Sequence, residues 1–352
     1  MNDFAGWSMP IQYTSGSVAE HRLVRSSCGM FDVSHMGRFV FRGEGTLPYL
    51  NTMITSNLAG LSPMESAYGL LCREDGGVLD DVFVYRLNKE WLVVVNAANA
   101  EQDRAWLTGH LPSSGVEFRD VSEETAMIAF QGPNAIEVLN AAGESSKPVS
   151  VIPRFGAAEV ALAGISCTVG RTGYTGEDGA EIFVASDQVE SLWTAVLDQA
   201  RTSGIEAGPI GLAARDSLRF EPGFPLYGHE LSLDRTPIPA RLKWACDLPG
   251  EFIGAAAIRD EVARGSDMLL ATVTMVERGV PRQGQKVLSA GAVVGEVASG
   301  MYAPTVDAYC ANVFVDPPRA RVGVELEIEI RDRTKKAVVV KRPLYRPAYR
   351  GQ

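Results

Sequence analysis

Apolar positions recur with two different periods along the chain, and each period predicts a different kind of element. The clearest helical period places Leu192, Val196 and Ala200 on one face, and it predicts a helix from a cap at Asp187 to Gly204. We interpret that face as core packing with no functional role. Shorter helices are predicted over residues 17–25, 47–54, 99–110, 132–142 and 208–223.

Runs of β-branched and aromatic residues predict strands instead. Two such runs, residues 82–87 and 91–95, flank a polar turn and form a predicted hairpin. Further strands are predicted at 127–131, 167–171 and 180–185. From about residue 267 short strands follow one another, at 269–275, 292–297, 310–315, 326–330 and 337–341, and such a series is typical of a sandwich or barrel.

Composition narrows the function classes. The 352 residues are 46% hydrophobic and 22% charged, with a net charge of −10, which argues against a general nucleic-acid binder. The five cysteines are scattered without a C-x-x-C pair or a neighbouring histidine, so we expect reduced thiols and no metal site. No apolar run approaches a membrane span and no signal or transit peptide opens the chain. This predicts a protein of the cytoplasm, or of the mitochondrial matrix in a eukaryote, that does not contact a membrane.

Two adjacent carboxylates, Asp80 and Asp81, stand in a predicted strand that is otherwise apolar. Successive side chains on a strand point to opposite faces, so the two cannot share one site. The face of Asp81 would carry Leu79, Phe83 and Tyr85, and the face of Asp80 would carry Val78, Val82 and Val84. A buried carboxylate is costly without a partner, so at least one of them needs a specific contact. The alternative is a turn-closing Asp beside a salt-bridged neighbour.

Two further segments concentrate unusual residues. Residues 172–179 hold three glycines between two strands, but they lack the Lys-Ser/Thr ending and the following helix of a phosphate-binding loop. Glu181 starts the outgoing strand, where it could either contact a donor-rich ring or be a solvated strand end. Arg215 shares a predicted helical face with Asp216 and Arg219, which suits the binding of an acid, although a surface charge ladder has the same spacing.

Six short blocks are spaced over nearly the whole chain. They are Phe4-Ala5-Gly6-Trp7 with Met9-Pro10, Phe31-Asp32-Val33-Ser34-His35-Met36-Gly37, Gly76–Asp81, Arg171–Asp178, Gly211–Leu218 with Leu226-Tyr227-Gly228, and Pro343-Leu344-Tyr345. Together and in this order they resemble the glycine cleavage system T-protein family, the tetrahydrofolate-dependent aminomethyltransferases. Members of that family usually carry about a helix and a strand more before the first block, which predicts a truncated start.

The resemblance implies an α+β fold, a three-domain cloverleaf around a central folate channel with a C-terminal β-barrel or jelly-roll-like domain. The implied domains are residues 1–40 plus 122–210, residues 41–121 plus 211–266, and residues 267–352. The implied catalytic residues are Asp81 and Arg215, with Arg215 holding or tuning the carboxylate. The implied folate-binding residues are Tyr68, Asn96, Tyr174, Glu181, Arg215, Trp244 and Tyr349, and no metal is implied.

The implied reaction moves the one-carbon unit of aminomethyl-dihydrolipoyl H-protein to tetrahydrofolate, with release of ammonia and formation of 5,10-methylenetetrahydrofolate. The lipoylated H-protein is therefore the expected partner, and Arg241, Lys243, Arg346 and Arg350 are the expected basic patch for it. Two alternatives stay open. One is a related tetrahydrofolate-dependent demethylase that acts on a methylated amine or sulfonium donor. The other is a non-catalytic folate-binding protein of iron–sulfur assembly, although the cysteine motif of that relative is absent from residues 173–177.

Overall fold

Two open sheets, a closed barrel and a short hairpin organise the part of the chain that the computed structural model describes, residues 1–144 and 146–347. The strands are β1 (Asn2–Phe4), β2 (Trp7–Met9), β3 (Cys28–Asp32), β4 (Gly37–Arg42), β5 (Glu65–Cys72), β6 (Val78–Arg86), β7 (Trp91–Val95), β8 (Glu117–Asp120), β9 (Thr125–Gln131), β10 (Ala157–Leu162), β11 (Ile165–Gly170), β12 (Gly179–Ala185), β13 (Ala207–Pro209), β14 (Leu269–Met275), β15 (Lys286–Ser289), β16 (Ala292–Ala303), β17 (Ala308–Val315), β18 (Glu325–Ile330) and β19 (Arg333–Val340).

Helices connect and cover these strands. They are α1 (Ser17–Ser26), α2 (Thr46–Met53), α3 (Ala100–Gly109), α4 (Ala135–Ala142), α5 (Val189–Thr202), α6 (Leu212–Phe220) and α7 (Ala255–Arg264). Short 3₁₀ turns lie at Leu58–Gly60, Val149–Val151, Ser186–Gln188 and Lys243–Ala245. None of the helices in the described ranges has the length and apolar character needed to cross a bilayer.

The five-stranded sheet has the order β5-β6-β7-β4-β8 and is antiparallel throughout. The hairpin predicted from residues 82–87 and 91–95 is its centre, β6 paired with β7. Helices α2 and α3 pack on one face through residues such as Leu50, Met53 and Leu107, which are fully buried or nearly so. That face is closed to water, so the opposite face is the one left for a site.

The six-stranded sheet has the order β10-β11-β12-β9-β3-β13, with only β13 parallel to its neighbour. Helix α5 packs on it, and Leu192, Val196 and Ala200 are fully buried in that core, as the helical period predicts. The predicted cap at Asp187 is wrong. A 3₁₀ turn over Ser186–Gln188 precedes the helix, and the N-cap is Gln188, which makes no side-chain capping hydrogen bond.

The C-terminal strands close into a barrel with the order β14-β17-β16-β15-β18-β19. The five strands predicted after residue 267 are all present, and the prediction of a barrel is confirmed. Strand β15, Lys286–Ser289, is missing from the sequence-based set. It has only four residues, two of them polar, so a periodicity argument has too few positions to detect it.

Backbone hydrogen bonds join the two open sheets. The amide nitrogen of Ser66 in β5 donates to the carbonyl of Phe155 (2.7 Å), and that of Ala157 in β10 donates to the carbonyl of Met64 (2.7 Å). Helix α6 attaches to the barrel because the guanidinium of Arg219 donates to Ser299 Oγ (3.0 Å) in β16. The domain boundaries expected from the sequence stay a prediction.

Candidate active site between the two open sheets

A cavity of about 1100 Å³, counting the space at its open mouth, lies between the five-stranded and six-stranded sheets beside α6. Its lining includes Tyr68, Asp81, Asn96, Tyr174, Glu181, Arg215 and Trp244. These residues come from parts of the sequence up to 176 positions apart, and they are the described members of the predicted site. Tyr349, the remaining predicted residue, lies outside the described residues, as does Arg350.

Asp81 lies on β6 and faces the cavity, as does Phe83 two residues on. The hydroxyl of Tyr68 donates to Asp81 Oδ2 (3.2 Å), and the side-chain amide of Asn96 donates to Asp81 Oδ1 (2.8 Å). Burial, together with the charge of Asp80, raises the pKa of Asp81 to about 7. A carboxyl group with that pKa can exchange a proton with a ligand at neutral pH.

Asp80 points to the opposite face and is fully buried. It accepts hydrogen bonds from the backbone amide of Asn96 (2.9 Å) and from the side-chain amides of Asn96 (2.8 Å) and Asn99 (2.7 Å). The side-chain amide of Asn96 therefore bridges the two carboxylates, one on each face of the strand. This satisfies the expectation that adjacent buried carboxylates need specific partners.

The predicted alternation fails on one side of the pair. Leu79 was expected on the face of Asp81, but it packs with Val82 and Val84 on the opposite face of the sheet, the position expected for Val78. The register of β5 and β6 shifts between Leu71 and Cys72, so that Leu71 pairs with Asp80 and Cys72 with Val78. This irregularity inserts an extra residue at Leu79, and the side chains before it exchange faces.

Asp103, on α3, lies next to Asp80 and was not identified from the sequence. It is fully buried, and neither of its carboxyl oxygens has a hydrogen-bond donor among the described residues. Burial and the negative charge of Asp80 raise the pKa of Asp103 to about 11. The only sequence signal for Asp103 was its position four residues after Asn99 on a predicted polar helix. Its contact with Asp80 could not be predicted, because the two residues lie on different elements.

Glu181 enters the cavity from β12. The hydroxyls of Thr172 (2.5 Å) and Tyr85 (3.0 Å) both donate to its Oε2. Burial raises the pKa of Glu181 above its ordinary value even though these bonds act against the rise. Tyr85 is fully buried and belongs to the five-stranded sheet, so the position of Glu181 depends on both sheets. A Cβ at Gly170 would lie 2.7 Å from the Tyr85 ring, so only glycine fits there.

Arg215 lines the cavity from α6, with its guanidinium 4.7 Å from the centre of the Tyr174 ring. It forms no ion pair with Asp81 within the described chain, where the Asp81 oxygens accept from Tyr68 and Asn96, and the expectation that it holds or tunes that carboxylate stays a prediction. The charge of Arg215 acts against the raised pKa of Glu181.

Aromatic rings form the mouth. Trp244 is 71% exposed and stacks on Tyr68 with ring centres 5.5 Å apart. The hydroxyl of Tyr174 donates to the carbonyl of Pro225, which fixes that ring. On the far wall Phe83 stacks on Phe155, with ring centres 6.1 Å apart. A flat ligand could therefore pack against aromatic surface near the mouth while its polar edge meets carboxylates inside.

His35 does not belong to a nucleophilic arrangement. Its ring is buried edge-on against Phe4, and neither ring nitrogen has a hydrogen-bond partner within the described chain. Burial lowers the pKa of His35 to about 4. The hydroxyl of its neighbour Ser34 donates to the carbonyl of Met127 (3.3 Å), and the backbone amide of Ser34 donates to the carboxylate of Asp32 (2.9 Å). The polar turn supports the loop between β3 and β4.

The described residues contain no group of three or more His, Cys, Asp and Glu side chains placed to hold a metal ion. The cavity instead combines one carboxyl group that titrates near neutrality, a second carboxylate fixed by two hydroxyls, one guanidinium and aromatic walls. Such a set can orient a polar heterocycle and move a proton. Asp103 and Thr172 are contributors that the sequence did not identify as part of the site, whereas Tyr85 was expected on the face of Asp81.

Comparison with known proteins agrees over nearly the full length. Residues 1–249 match the family model described as the GCVT N-terminal domain, and residues 269–346 match the glycine cleavage T-protein C-terminal barrel domain. The chain is 40% identical over 353 residues to an aminomethyltransferase of Herpetosiphon aurantiacus, covering 99% of this chain and 95% of that protein. It is 41% identical over 350 residues to one of Geobacillus kaustophilus, covering 98% and 94%.

A solved structure shows the same fold. The glycine cleavage system aminomethyltransferase T from Bartonella henselae is 30% identical and superposes with a TM-score of 0.90, covering 98% of this chain and 94% of that one. Both family models, the relatives and the solved structure agree with the resemblance drawn from the six sequence blocks. The chain therefore belongs to the glycine cleavage T-protein family of aminomethyltransferases.

Proposed function

We propose that the cavity binds tetrahydrofolate and that the protein transfers to it the one-carbon unit of aminomethyl-dihydrolipoyl H-protein, with release of ammonia. The observation that carries the proposal is the arrangement around Asp81, a carboxyl group with a pKa of about 7 in a cavity that Glu181 and Arg215 also line. The relatives described above are named aminomethyltransferases, which supports this reaction over the demethylase and iron–sulfur alternatives.

The residues present fit a reduced pterin. Its donor-rich edge needs an acceptor, and Glu181 provides one: both internal donors bond to Oε2, so Oε1 can accept from a ligand. The aromatic residues at the mouth, Tyr68 and Trp244, offer apolar surface for the flat parts of the ligand. When bound, tetrahydrofolate supplies the nitrogen nucleophile that accepts the one-carbon unit.

Asp81 would transfer protons during the reaction. Its pKa near neutrality lets the carboxylate take up a proton from the reacting nitrogen and return it to the departing amine, so proton transfer is local. Tyr68 and Asn96 fix both oxygens of Asp81, which limits its motion before the reaction. Arg215 and Tyr174 would bind the ligand from the α6 side.

The donor would enter at the mouth, where Trp244 is exposed. Three members of the predicted basic patch, Arg241, Lys243 and Arg346, are exposed. Arg241 also donates through Nε to the carbonyl of Leu270 (2.6 Å), so it has a structural contact as well. We propose that Lys243 and Arg346 attract the lipoylated H-protein, because cations near an opening steer an acidic partner toward it.

The test of the proposed function measures methylenetetrahydrofolate formation from aminomethylated H-protein and tetrahydrofolate, with the native protein and Asp81→Asn. We expect the variant to lose roughly 10²–10⁴-fold in rate, the usual contribution of a positioned acid–base group, while folate binding is retained. Glu74→Gln, an exposed carboxylate-to-amide change in the turn before β6, is the matched control and should be fully active. Product formation at the native rate by Asp81→Asn would refute the role of Asp81, and no product with the native protein would refute the donor.

A further inference from the structure

Three carboxyl groups lie in a row through the five-stranded sheet. Asp81 faces the cavity and Asp80 lies behind it on the same strand. Asp103 lies on α3 next to Asp80: Asn99, the N-cap residue of α3, donates through its side chain to Asp80 (2.7 Å), and its carbonyl accepts from the amide of Asp103 (2.8 Å). Asp80 and Asp103 are each fully buried, and their carboxyl groups interact directly. Two carboxylates in such contact repel strongly unless one carries a proton.

The hydrogen-bond donors decide which of the two is protonated. Asp80 receives three N–H bonds, two from Asn96 and one from Asn99. Asp103 receives none from the described residues. Donated hydrogen bonds stabilise the charged form of a carboxyl group, so the charge belongs on Asp80 and the proton on Asp103. Once protonated, Asp103 has the one O–H donor that completes the set around Asp80.

We propose that Asp103 is a positioning residue that keeps its proton over the working pH range and donates a hydrogen bond through it to Asp80, which keeps Asp80 negatively charged behind Asp81. The proposal rests on the proposed function of Asp81. In this arrangement Asp103 stabilises the charge of Asp80. Asp80 in turn acts on Asp81 through that charge and through the side-chain amide of Asn96, which donates to both carboxylates.

The charge of Asp80 controls the proton affinity of Asp81. The negative charge of Asp80 is one of the two main causes that raise the pKa of Asp81. Besides Glu181 and Arg215, which line the same cavity as Asp81, the titratable groups near the row are Tyr68 on β5, Tyr174 in residues 172–179 and Tyr227 after α6. All three are phenols whose pKa is raised, so they stay neutral in the working range and leave Asp80 as the controlling charge.

Two substitutions at one position test the proposal. Asp103→Asn replaces a neutral acid by a neutral amide of the same shape that can still donate to Asp80, so the acid limb of the pH–rate profile should stay where it is. Asp103→Leu removes the donor, which favours protonation of Asp80 and removes its charge. We expect the acid limb in that variant to move to lower pH by about one unit, the usual effect of a neighbouring charge.

Each outcome is decisive. An acid limb that is unmoved by Asn and lowered by Leu supports the proposal. A lowered limb in Asp103→Asn would show that Asp103 is charged in the native protein, and an unmoved limb in Asp103→Leu would show a merely structural role. Both results would overturn the proposal.

Infrared difference spectra provide a second measurement if Asp103→Leu does not fold. At about pH 9, above the pKa of Asp81 (about 7) and below that of Asp103 (about 11), the native protein should show the carbonyl band of a protonated carboxyl group, and Asp103→Asn should lack it. Absence of that band from the native protein would also overturn the proposal. The spectra need no substrate, so their result is independent of whether the protein uses the proposed donor.

Discussion

Arg219 is the buried charge on which the attachment of α6 depends, and replacing it gives a sharp test of the packing. Its side chain is 1% exposed, and it donates to Glu230 (3.0 Å), Asp216 (2.8 Å) and Ser299 (3.0 Å). Glu230 is fully buried and also accepts from Asn312 (2.8 Å) in β17. Burial alone would raise the pKa of Glu230, but the guanidinium and the hydrogen bonds that Glu230 accepts together outweigh burial, and the pKa is lowered.

Arg219→Met keeps the apolar length of the side chain and removes the charge. Glu230 is then left buried without its cation, which costs about 3–5 kcal/mol in the free energy of unfolding. On α5 the exposed pair Arg201–Asp198 has the i,i+3 spacing of Arg219–Asp216 but no buried partner such as Glu230, and Arg201→Met should cost about 0–1 kcal/mol. Only Arg219→Met leaves a buried carboxylate without its cation. The difference between the two changes in the free energy of unfolding therefore measures the contribution of the buried pair.

The loss should also depend on pH in a defined direction. In the native protein the lowered pKa of Glu230 stabilises the folded state above the ordinary glutamate range, and that stabilisation is lost as the pH falls through the folded-state pKa. In Arg219→Met this contribution is absent, so the gap between the two proteins should be largest above about pH 5 and shrink below it.

Urea denaturation, followed by fluorescence at several pH values, measures both effects. The double variant Arg219→Met with Glu230→Gln should lose less than Arg219→Met alone, because the unpaired charge is gone. A cost for Arg219→Met below 1 kcal/mol, or a gap that widens toward low pH, would refute the reasoning about the buried pair.

Two further predictions concern the site and its partner. Glu181→Gln should raise the KM for tetrahydrofolate by roughly tenfold or more, since a hydrogen bond to a charged group contributes about 1.5–3 kcal/mol. The free energy of unfolding should be nearly unchanged. An unchanged KM in steady-state assays would place the pterin elsewhere. Lys243→Glu with Arg346→Glu should weaken H-protein binding, with a smaller effect at high salt. Titration calorimetry at two salt concentrations measures this against Lys89→Glu, an exposed reversal in the β6–β7 turn, and equal affinities for the two variants would place the docking surface elsewhere.

The parts of the fold that depend on local pattern could be predicted from the sequence. The period of Leu192, Val196 and Ala200 predicts α5, and the regular strands after residue 267 predict the barrel, because in both cases nearby residues decide the structure. The alternation along β6 places Asp81 and Phe83 on the site face correctly. It fails at Leu79, because the irregular register depends on the partner strand β5.

The site could be predicted only where residue type carries the chemistry. Tyr68, Glu181 and Arg215 were identified through the family resemblance, and the structure brings them to one cavity. Asp103 was not, because a carboxyl on a polar helix is ordinary in sequence. Its significance comes from the contact with Asp80, 23 positions away, and from the lack of a donor around it in the described chain. Contacts of this kind depend on the tertiary arrangement.

The carboxylate of Glu181 belongs to one sheet, and a hydroxyl that fixes it, that of Tyr85, belongs to the other. A fragment that contained either sheet alone would therefore carry half of a binding site and could not select for the ligand. Ligand binding would in turn favour the assembled chain by mass action, by an amount that grows with the logarithm of ligand concentration. In a cell, the supply of the ligand would then influence how long the protein survives, as well as how fast it works.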